Sequence, residues 1–397
     1  MEDKKLRILM MIHRQADNSP YCFYVHEQAK AMRDRGHEVV VISCVGVLPM
    51  MKKLRPKLAE VNERTPKHAV IDGIAVYYPR CLTLGNAGEK YLGGHLLARA
   101  ALPIAKRLNK EKPFDIVHAH MLPRDGHASM LVAKALGIPF ALTVHGTDIF
   151  HYFIPGKQPW ARNQMIASEA DALMAVSNLL MSRVAPYRGE GRISRIVPNG
   201  VDLSLVPDET QNTPRTVISV GTLKARKCMD RTLEAFARLA PEYPDARLTI
   251  VGIGEMEDQL KSRIEELGLQ DRVEMTGGLP HEQVIARMAQ SDLFVLPSWG
   301  EGYGIVYIEA MAAGCIAVGA VGEGIEDTIT DGENGFLVPA GDVDATERVM
   351  REVFANREAY EALRRKGQAD AKQLTWARNA QTVEAIYREA IQNKRNQ

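Results

Sequence analysis

The sequence predicts an α/β protein made of two successive doubly wound parallel sheets, each covered by helices. The chain has 397 residues, 46% of them hydrophobic and 25% charged, which suits roughly two to three domains with large buried cores. Short apolar runs alternate with longer amphipathic stretches, a pattern typical of strand-helix-strand units. The alternation stops in a stretch rich in Pro, Asp and Asn at 198–214 and then restarts. We therefore expect one doubly wound unit on each side of this stretch.

The first half of the chain begins the alternation with a short apolar strand. Its predicted strands are Arg7–His13, Glu38–Cys44, Asp115–His120, Phe140–His145, Ala172–Ser177 and Ile193–Val197. Helices are predicted at Tyr24–Arg35, which Gly36 ends, and at Leu92–Asn109. Asp72 and Gly73, inside the segment Val70–Tyr78, form a typical hairpin turn sequence, so we expect a small hairpin inserted in this unit.

The second half repeats the pattern. Its predicted strands are Thr216–Val220, Leu248–Val251, Val273–Thr276, Leu293–Leu296, Ile316–Val318 and Phe336–Val338. Its predicted helices are Thr232–Leu239, Met256–Leu267, Glu282–Gln290 and Ile305–Ala312. Ligands of such sheets bind at the carboxyl ends of the strands, so we look for functional residues in the loops that follow strands.

The formal net charge of +1 is the sum of two halves of opposite sign. Up to Leu205 the chain carries 28 Lys and Arg against 18 Asp and Glu, and the remainder carries 22 against 31. A near-neutral total disfavours a nucleic-acid-binding protein. The asymmetry indicates that the two halves face different partners.

Cysteine spacing and hydropathy point to a cytoplasmic protein. The five cysteines show no C-x-x-C spacing, so neither a zinc ribbon nor a redox pair is indicated, and we expect reduced thiols. No apolar stretch approaches the about 18 residues that a membrane span requires. The apolar run Ile8–Ile12 is too short for the core of a signal peptide.

The segment Pro-Ser-Trp-Gly-Glu-Gly-Tyr-Gly at 297–304 follows an apolar strand and leads into a predicted helix. Its glycines allow a ligand to approach the backbone, and the N–H groups at the start of a helix suit a diphosphate. Glu301 in the loop and Glu309 in the helix can both accept hydrogen bonds from sugar or ribose hydroxyls. The alternative is a glycine-rich turn next to two solvated carboxylates.

The stretch Glu301–Gly314 resembles the Glu-x7-Glu signature of the retaining glycosyltransferases of family 4, group 1, including those of the exopolysaccharide and teichuronic-acid type. Further segments agree with that family in order and spacing, namely Gly36–Val39, Asp115–His120, Val144–Asp148, Val197–Asp202 and Asp331–Gly335. The resemblance covers essentially the whole chain. It implies the GT-B fold, in which two Rossmann-like domains face each other across a cleft, and transfer of a sugar from a nucleoside diphosphate sugar to an acceptor hydroxyl.

The resemblance also implies that the two halves bind different substrates. We expect an acceptor-binding domain at 1–203, a donor-binding domain at 204–375 and a final helix at 376–397 that crosses back onto the first domain. The residues expected to bind the donor are Gly221, Thr222, Lys224, Arg226, Gly252, Gly254, Gly277, Gly302, Tyr303, Gly304, Ile305 and Glu309.

Three residues are expected to take part in the reaction of the resembled family. Lys227 would hold the leaving diphosphate, Glu301 the hydroxyls of the donor sugar, and His145 would lie beside the anomeric carbon. Glu309 would hold the ribose. The alternative for His145 is a packed histidine at the end of a strand. The family implies neither a metal ion nor a cofactor other than the donor substrate.

The turn at 221–228 departs from the family pattern Gly-Arg-Leu-x-x-x-Lys-Gly. Lys227 matches the lysine of that pattern, but Thr222 stands in place of its arginine and Cys228 in place of its second glycine. Lys224 and Arg226 are the candidates to replace the arginine. Fixed cations suit a departing diphosphate, whose oxygens gain negative charge. A solvated basic turn is the alternative.

The segment Val251–Glu257 partly matches the glycine fingerprint of dinucleotide-binding proteins. Glu257 occupies the position of the third glycine, where helix and strand would have to approach closely. A dehydrogenase is therefore disfavoured. Within the resemblance, the same loop borders the nucleotide pocket.

Histidines near the middle of the first half raise the alternative of a metallohydrolase. His118 and His120 lie on one face of a predicted strand, and Asp125, His127 and His145 follow. No carboxylate triad at suitable spacing completes a metal site. We therefore expect these histidines to line an acceptor cleft or to satisfy local hydrogen bonds.

The acceptor-binding residues expected in the first half are Asn18, Ser19, His118, His120 and Asp148. The family has a glycine-rich loop after the first strand, whereas the segment 13–20 of this chain contains no glycine. Asn18 and Ser19 are the polar residues that could take over its role.

A basic cluster precedes the predicted hairpin. Lys52, Lys53, Arg55 and Lys57 alternate with Met and Leu side chains. Such a cluster suits an anionic membrane surface, to which each basic residue contributes about 1 kcal/mol. A solvated helix face is the alternative.

Together these features predict a retaining, metal-independent glycosyltransferase of surface polysaccharide synthesis. We expect a UDP-sugar donor, with a GDP-sugar as the alternative, and a lipid-linked glycan acceptor. The expected location is the cytoplasm, with peripheral association at the inner face of the plasma membrane as a further option. A GT-B sugar-nucleotide epimerase or hydrolase and a non-catalytic nucleotide-sugar binding protein are the alternative functions.

Overall fold

The structure is a computed structural model that describes residues 4–13, 22–48, 53, 56–83, 85–156, 159–207 and 212–396, with only the backbone of 57, 58 and 85–90. The chain divides into two compact units. Unit 1 comprises Met1–Pro198 and Trp376–Gln397, and unit 2 comprises Asn199–Thr375. The sequence places the boundary a few residues later, after 203.

The strands that the structure describes in unit 1 form one sheet. They are β1 (Arg7–His13), β2 (Glu38–Val47), β3 (His68–Ile71), β4 (Ile74–Tyr77), β5 (Arg80–Leu82), β6 (Ile116–His120), β7 (Phe140–Val144), β8 (Ala172–Ala175) and β9 (Ile193–Ile196). Their order is β3-β4-β2-β1-β6-β7-β8-β9, and β5 pairs with the end of β2. Every pairing is parallel except the β3-β4 hairpin, whose turn at Asp72 and Gly73 has positive φ at both residues.

Helices cover this sheet, and its central strands are apolar. The helices are α1 (Phe23–Asp34), α2 (Pro56–Arg64), α3 (Gly85–Glu111), α4 (His127–Leu136), α5 (Thr147–Tyr152), α6 (Trp160–Glu169) and α7 (Asn178–Val184). In β1, Ile8 lies opposite Val39 of β2 and Ile116 of β6. The segment 8–12 is almost completely buried, as expected for a parallel strand with both faces covered.

Unit 2 contains a second, fully parallel sheet. Its strands are β10 (Thr213–Val220), β11 (Arg247–Val251), β12 (Val273–Gly277), β13 (Ser291–Val295), β14 (Ile316–Ala320) and β15 (Phe336–Val338). Their order is β12-β11-β10-β13-β14-β15. The strand order reverses between β10 and β13, so the loops that follow these two strands are neighbours at the topological switch point, where doubly wound sheets bind ligands.

The remaining helices complete both units. Unit 2 carries α8 (Met229–Leu239), α9 (Glu257–Glu266), α10 (His281–Met288), α11 (Ile305–Ala312), α12 (Val343–Ala355) and α13 (Glu361–Lys372). The last helix, α14 (Trp376–Arg395), belongs to unit 1 and packs against α1. There Gln28 donates to Asn379 (2.9 Å), which donates to the carbonyl of Pro198 (2.7 Å).

Two Rossmann-like parallel sheets are thus present, as the alternation in the sequence predicts. Within the described ranges, none of the helices combines the length and the apolar character that crossing a bilayer would require.

Candidate active site

The loops that follow β10 and β13 bring basic and acidic side chains together at the switch point of unit 2. Lys227 ends a short 3-10 turn after β10, is buried, and forms an ion pair through its ammonium with the Glu301 carboxylate. The Arg226 guanidinium lies 3.5 Å from the same carboxylate. The two loops are also joined by their backbones, because the Trp299 N–H donates to the Arg226 carbonyl (2.9 Å). Residues predicted on separate loops therefore meet.

Glu309 lies in the second turn of α11 and is buried. Its carboxylate is 2.8 Å from Nε2 of His281, the first residue of α10. Glu301 and Glu309 thus each have a basic partner of their own. The sequence does not reveal the role of His281, because nothing in the local pattern at 281 indicates a partner 28 positions further along the chain.

Glycines allow the loops after β10 and β11 to touch through their backbones. At Gly252 the backbone has φ 148°, and a Cβ atom would overlap the carbonyl oxygen of Gly221. At Gly254 a Cβ would overlap the carbonyl oxygen of Leu223. The Gly252 N–H donates to the Gly277 carbonyl (2.9 Å), which extends the contact to the loop after β12. These glycines are required for close packing, and their expected contact with a donor stays a prediction.

The turn that departs from the family pattern has an unusual backbone. Cys228 has φ +52°, the left-handed conformation that glycine adopts most readily. This conformation explains why the family pattern has a glycine at this position. Thr222 and Lys224 are exposed. Of the two candidates for the missing arginine, Arg226 is the one whose side chain lies beside Glu301.

Glu323, in the loop after β14, binds the backbone of the glycine-rich loop. The N–H groups of Gly300 and Glu301 donate to its two carboxylate oxygens, at 2.9 and 2.6 Å. Burial raises the pKa of Glu323, and the two amide hydrogen bonds oppose this effect. No local pattern around residue 323 in the sequence indicates this contact. Because Glu323 occupies these two amides, they are not available to a phosphate.

The turn that leads into α11 contains the predicted residues from Gly302 to Ile305. Gly304 has φ 81° and directly precedes the first residue of α11, Ile305. The Tyr303 side chain is 2% exposed, and its burial raises the pKa of the phenol to about 12. Tyr303 can therefore meet a ligand through its backbone but not through its ring.

A group of histidines lies at the ends of β6 and β7 in unit 1, where His120 is buried and His145 is half-buried. Nδ1 of His120 is 3.0 Å from Nε2 of His145, and Tyr24 stacks on the His145 ring with centroids 4.0 Å apart. Burial lowers the pKa of His120 to about 3 and also lowers the pKa of His145. Both imidazoles are therefore neutral near pH 7 and can exchange a hydrogen bond but carry no charge.

His118 and Asp148 have internal partners instead of the expected exposure to an acceptor. His118 is completely buried, with its Nδ1 2.6 Å from the Tyr387 hydroxyl and its Nε2 2.8 Å from the Thr143 hydroxyl. Asp148 accepts the N–H groups of Leu122, His145 and Gly146 at 3.1, 3.1 and 2.8 Å. These contacts give both residues a supporting role around His145 and leave no exposed side-chain surface for direct acceptor contact.

The histidines and carboxylates considered as metal ligands do not converge. Asp125 is 2.7 Å from Nδ1 of His13, and the His127 ring packs edge-on against His95 with centroids 4.5 Å apart. In the part of the chain that the structure describes, no three or more His, Cys, Asp or Glu side chains are arranged to hold a metal ion.

Some predicted residues lie outside the described residues. These are Asn18 and Ser19 of the expected acceptor site, and Lys52 and Arg55 of the basic cluster. Lys53 is exposed. Lys57 is the second residue of α2, and only its backbone is described.

Two family models match the chain in succession. The one described as Glycosyltransferase Family 4 matches residues 23–205, and the one described as Glycosyl transferases group 1 matches residues 206–370. The family models and the fold thus define a glycosyltransferase of the GT-B fold class. The chain belongs to the group 1, family 4 glycosyltransferases, and the family and fold class expected from the sequence are confirmed.

Similar proteins include enzymes with different substrates. Glycogen synthase of Mycobacterium tuberculosis (strain ATCC 25618 / H37Rv) is 26% identical over 378 residues, covering 91% of this chain and 87% of that protein. The GDP-mannose-dependent alpha-(1-6)-phosphatidylinositol monomannoside mannosyltransferase of Mycolicibacterium smegmatis is 29% identical over 232 residues, covering 54% and 60%. The crystal structure of Anabaena HepE in complex with UDP and glucose matches with a TM-score of 0.69 at 18% identity, covering 96% of this chain and 98% of HepE. At this identity the structural likeness shows the fold.

Proposed function

We propose that this glycosyltransferase is retaining and metal-independent, and that it moves a sugar from a nucleoside diphosphate sugar, with UDP-sugars as the first candidates, to an acceptor hydroxyl. The observation that carries the proposal is the buried ion pair between Lys227 and Glu301 at the switch point of unit 2. A lysine fixed there supplies positive charge where a diphosphate binds, and Glu301 offers acceptor oxygens to sugar hydroxyls.

The nucleoside would be held by the neighbouring helices. Glu309 is oriented by His281, and a carboxylate held in this way is suited to accept hydrogen bonds from ribose hydroxyls. The N–H groups of the turn that leads into α11 suit the phosphates. The bound UDP of HepE, a protein of the same fold, supports a uridine nucleotide as the first candidate.

The reaction we propose needs no nucleophile from the protein. The acceptor oxygen forms a bond to the anomeric carbon on the same face from which the leaving diphosphate departs, and the electron pair of the broken bond goes to the phosphate oxygen. The acceptor proton passes to that same leaving phosphate. Lys227 and Arg226 balance the charge that develops, which is the part a divalent metal plays in other enzymes.

On unit 1 we assign His145 to the reaction as a hydrogen-bonding group. Its lowered pKa keeps the imidazole neutral, so it would act by polar contact and not as a cation. Nε2 of this ring lies within hydrogen-bond distance of Nδ1 of His120 (3.0 Å).

The acceptor we propose is a lipid-linked glycan of a surface polysaccharide. The positive charge of the chain up to Leu205 supports an anionic acceptor or membrane surface. A relative that acts on a phosphatidylinositol monomannoside, as its name states, shows that such acceptors occur among similar proteins. The basic cluster at 52–57 is the proposed point of contact with the membrane.

A ligand screen tests the donor part directly. Thermal unfolding is followed with UDP, GDP and ADP and with their sugars, each with and without EDTA, because a ligand at 100 times its dissociation constant adds about 2.7 kcal/mol. We expect one nucleotide series to raise the melting temperature, with no effect of EDTA. The absence of any shift would contradict the donor site.

Analysis of the product tests the retaining mechanism and the transfer to an acceptor. With the matching nucleotide sugar and a lipid-linked acceptor, proton NMR of the product should show the anomeric configuration of the donor. An inverted product would contradict the retaining mechanism. Release of free sugar that no acceptor suppresses would indicate a hydrolase, and tight binding without turnover would indicate a binding protein.

A further inference from the structure

The backbone of Glu301 is held on both sides by one short segment of the loop after β14. The Glu323 carboxylate accepts the N–H groups of Gly300 and Glu301. The N–H of the next residue, Gly324, donates to the Glu301 carbonyl oxygen (3.0 Å). These three hydrogen bonds fix the peptide units before and after the Cα atom of Glu301. The remaining freedom of Glu301 lies in its side chain, which Lys227 holds.

The close approach of the two loops depends on a small residue beside Glu323. A Cβ atom at Gly324 would overlap the carbonyl oxygen of Gly302. The segment 323–324 therefore lies directly against the glycine-rich loop, and Glu323 reaches its amides from a fixed backbone. The loops that carry Glu301 and Glu323 follow neighbouring parallel strands, β13 and β14, so the contact is built into the sheet.

The position of Glu323 is electrostatically unfavourable. Its half-buried carboxylate lies close to the like-charged carboxylate of Glu301, and burial adds a desolvation cost. The two amide donors offset this cost. A neutral side chain would avoid the repulsion but would not accept two diverging N–H groups with two equivalent oxygens.

We propose that Glu323 is a positioning residue, which fixes the backbone of Glu301 so that the Glu301 carboxylate is aimed at the donor sugar while it remains in contact with Lys227. This inference rests on the proposed function of Glu301. Glu323 itself touches neither the donor nor the acceptor. It acts through the two amides and so fixes the backbone position from which the Glu301 side chain extends.

The same turn supplies a matched control. Glu326 also accepts a backbone N–H through its carboxylate, that of Gly322 (2.9 Å), but it is exposed and does not bond to the glycine-rich loop. Glu326→Gln makes the same chemical change three residues away without altering the hydrogen bonds around Glu301.

The test compares Glu323→Gln, Glu323→Ala and Glu326→Gln in full-length protein, each in the wild-type and Glu301→Gln backgrounds. Small displacements of a positioned group lower rates by up to about 100-fold, so we expect kcat to fall about 10- to 100-fold in Glu323→Ala and less in Glu323→Gln. Affinity for the nucleoside diphosphate, which lacks the sugar, should change less than about 3-fold, and Glu326→Gln should behave as wild type. In the Glu301→Gln background, Glu323→Gln should cause no further loss of kcat, because it acts through Glu301.

A readout without turnover separates this inference from the proposed function. Thermal unfolding measures the coupling between Lys227→Met and Glu301→Gln, and this coupling should shrink in the Glu323→Ala background and persist in Glu326→Gln. If the wild type transfers no sugar, the proposed function fails while the coupling still decides the role of Glu323. Unchanged coupling, wild-type kcat in Glu323→Ala, or equal losses in both backgrounds would each overturn the inference.

Discussion

The ammonium of Lys227 and the carboxylate of Glu301 form an ion pair between loops that are 74 positions apart in the chain. Both side chains are largely buried, with 9% and 14% of their surfaces exposed. A pair so withdrawn from water is strongly coupled, because removing one partner leaves the other charge without compensation. The same two groups are the ones we assign to the diphosphate and the sugar, so stability and catalysis share this contact.

Lys227→Met should therefore lower both stability and turnover. We expect about 1–3 kcal/mol less unfolding free energy, below the cost for a fully buried charge because Arg226 still lies near Glu301. Turnover should fall at least about 100-fold. The double variant Lys227→Met with Glu301→Gln should regain most of the stability and stay inactive. Urea unfolding and a transfer assay measure the two effects.

An exposed ion pair of the same type serves as control. Lys261 pairs with Glu257 on the surface of α9 (2.7 Å), and such pairs contribute about 0–1 kcal/mol. Lys261→Met should therefore change neither unfolding nor turnover. Recovery of activity in the double variant would show that the charges of Lys227 and Glu301 are structural only.

Glu309→Gln should weaken nucleotide binding. A hydrogen bond to a charged group is worth about 1.5–3 kcal/mol, so the loss of a carboxylate that we propose to bind the ribose should raise the dissociation constant for the nucleoside diphosphate about 10-fold or more. His281→Ala should have a smaller effect of the same sign, because it removes the group that orients Glu309. Calorimetric titration measures both.

Glu282→Gln provides the matched control, because Glu282 is exposed on α10 directly after His281. It should bind nucleotide as the wild type does. If Glu309→Gln also bound nucleotide with wild-type affinity, the ribose would have to be held elsewhere.

Strands could be predicted because apolar runs determine them locally, whereas the switch point depends on the strand order, which only the structure gives. The predicted bounds of β1 and β15, Arg7–His13 and Phe336–Val338, agree at both ends with the structure. The glycine-rich loop and its helix were likewise predicted, since glycines and the following apolar pattern are contiguous in the chain. The position of this loop and much of its chemistry could therefore be predicted from the sequence.

The partners of those residues could not be predicted. Glu323 binds amides 22 and 23 positions away, and its own local pattern is that of an ordinary turn. His118 was expected to line an acceptor cleft or to satisfy local hydrogen bonds, and the second alternative holds, because every residue of β6 is buried, since both faces of a central parallel strand are covered. Contacts of this kind follow from the packing of the sheet and not from spacing.

Three histidines of unit 1 should make stability depend on pH. Burial lowers the pKa values of His118, His120 and His145, that of His120 from 6.5 to about 3. As the pH falls below the ordinary value of 6.5, the unfolded chain takes up protons while these rings in the folded protein stay neutral. The unfolding free energy should therefore decrease towards acid, by about 1.4 kcal/mol per pH unit for each such histidine.

Urea unfolding between pH 7.5 and 5 measures this slope. In His120→Gln the slope should be smaller by the contribution of one histidine, whatever the change in stability at pH 7.5. NMR of the imidazole protons gives the direct check. A His120 resonance that titrates near pH 6.5 in the folded protein would contradict the burial argument.

Gly252→Ala should disrupt the contact between the loops after β10 and β11. The added Cβ would overlap the Gly221 carbonyl oxygen, which is backbone and can yield only if the two loops separate. We expect a loss of about 2–4 kcal/mol in unfolding free energy and weaker nucleotide binding, since the Lys227 turn follows Gly221 directly. Thermal unfolding and nucleotide titration measure the two effects.

Gly268→Ala measures the cost of a left-handed backbone where no close approach is present. Gly268 also has positive φ (65°), but a Cβ there would meet nothing within 4 Å. Its replacement should cost only about 1–2 kcal/mol, the strain of a left-handed backbone, and leave nucleotide affinity unchanged. Equal losses in both variants would mean that strain alone explains the effect at Gly252. A larger loss at Gly252 with weaker binding would show that contact between these loops positions Lys227.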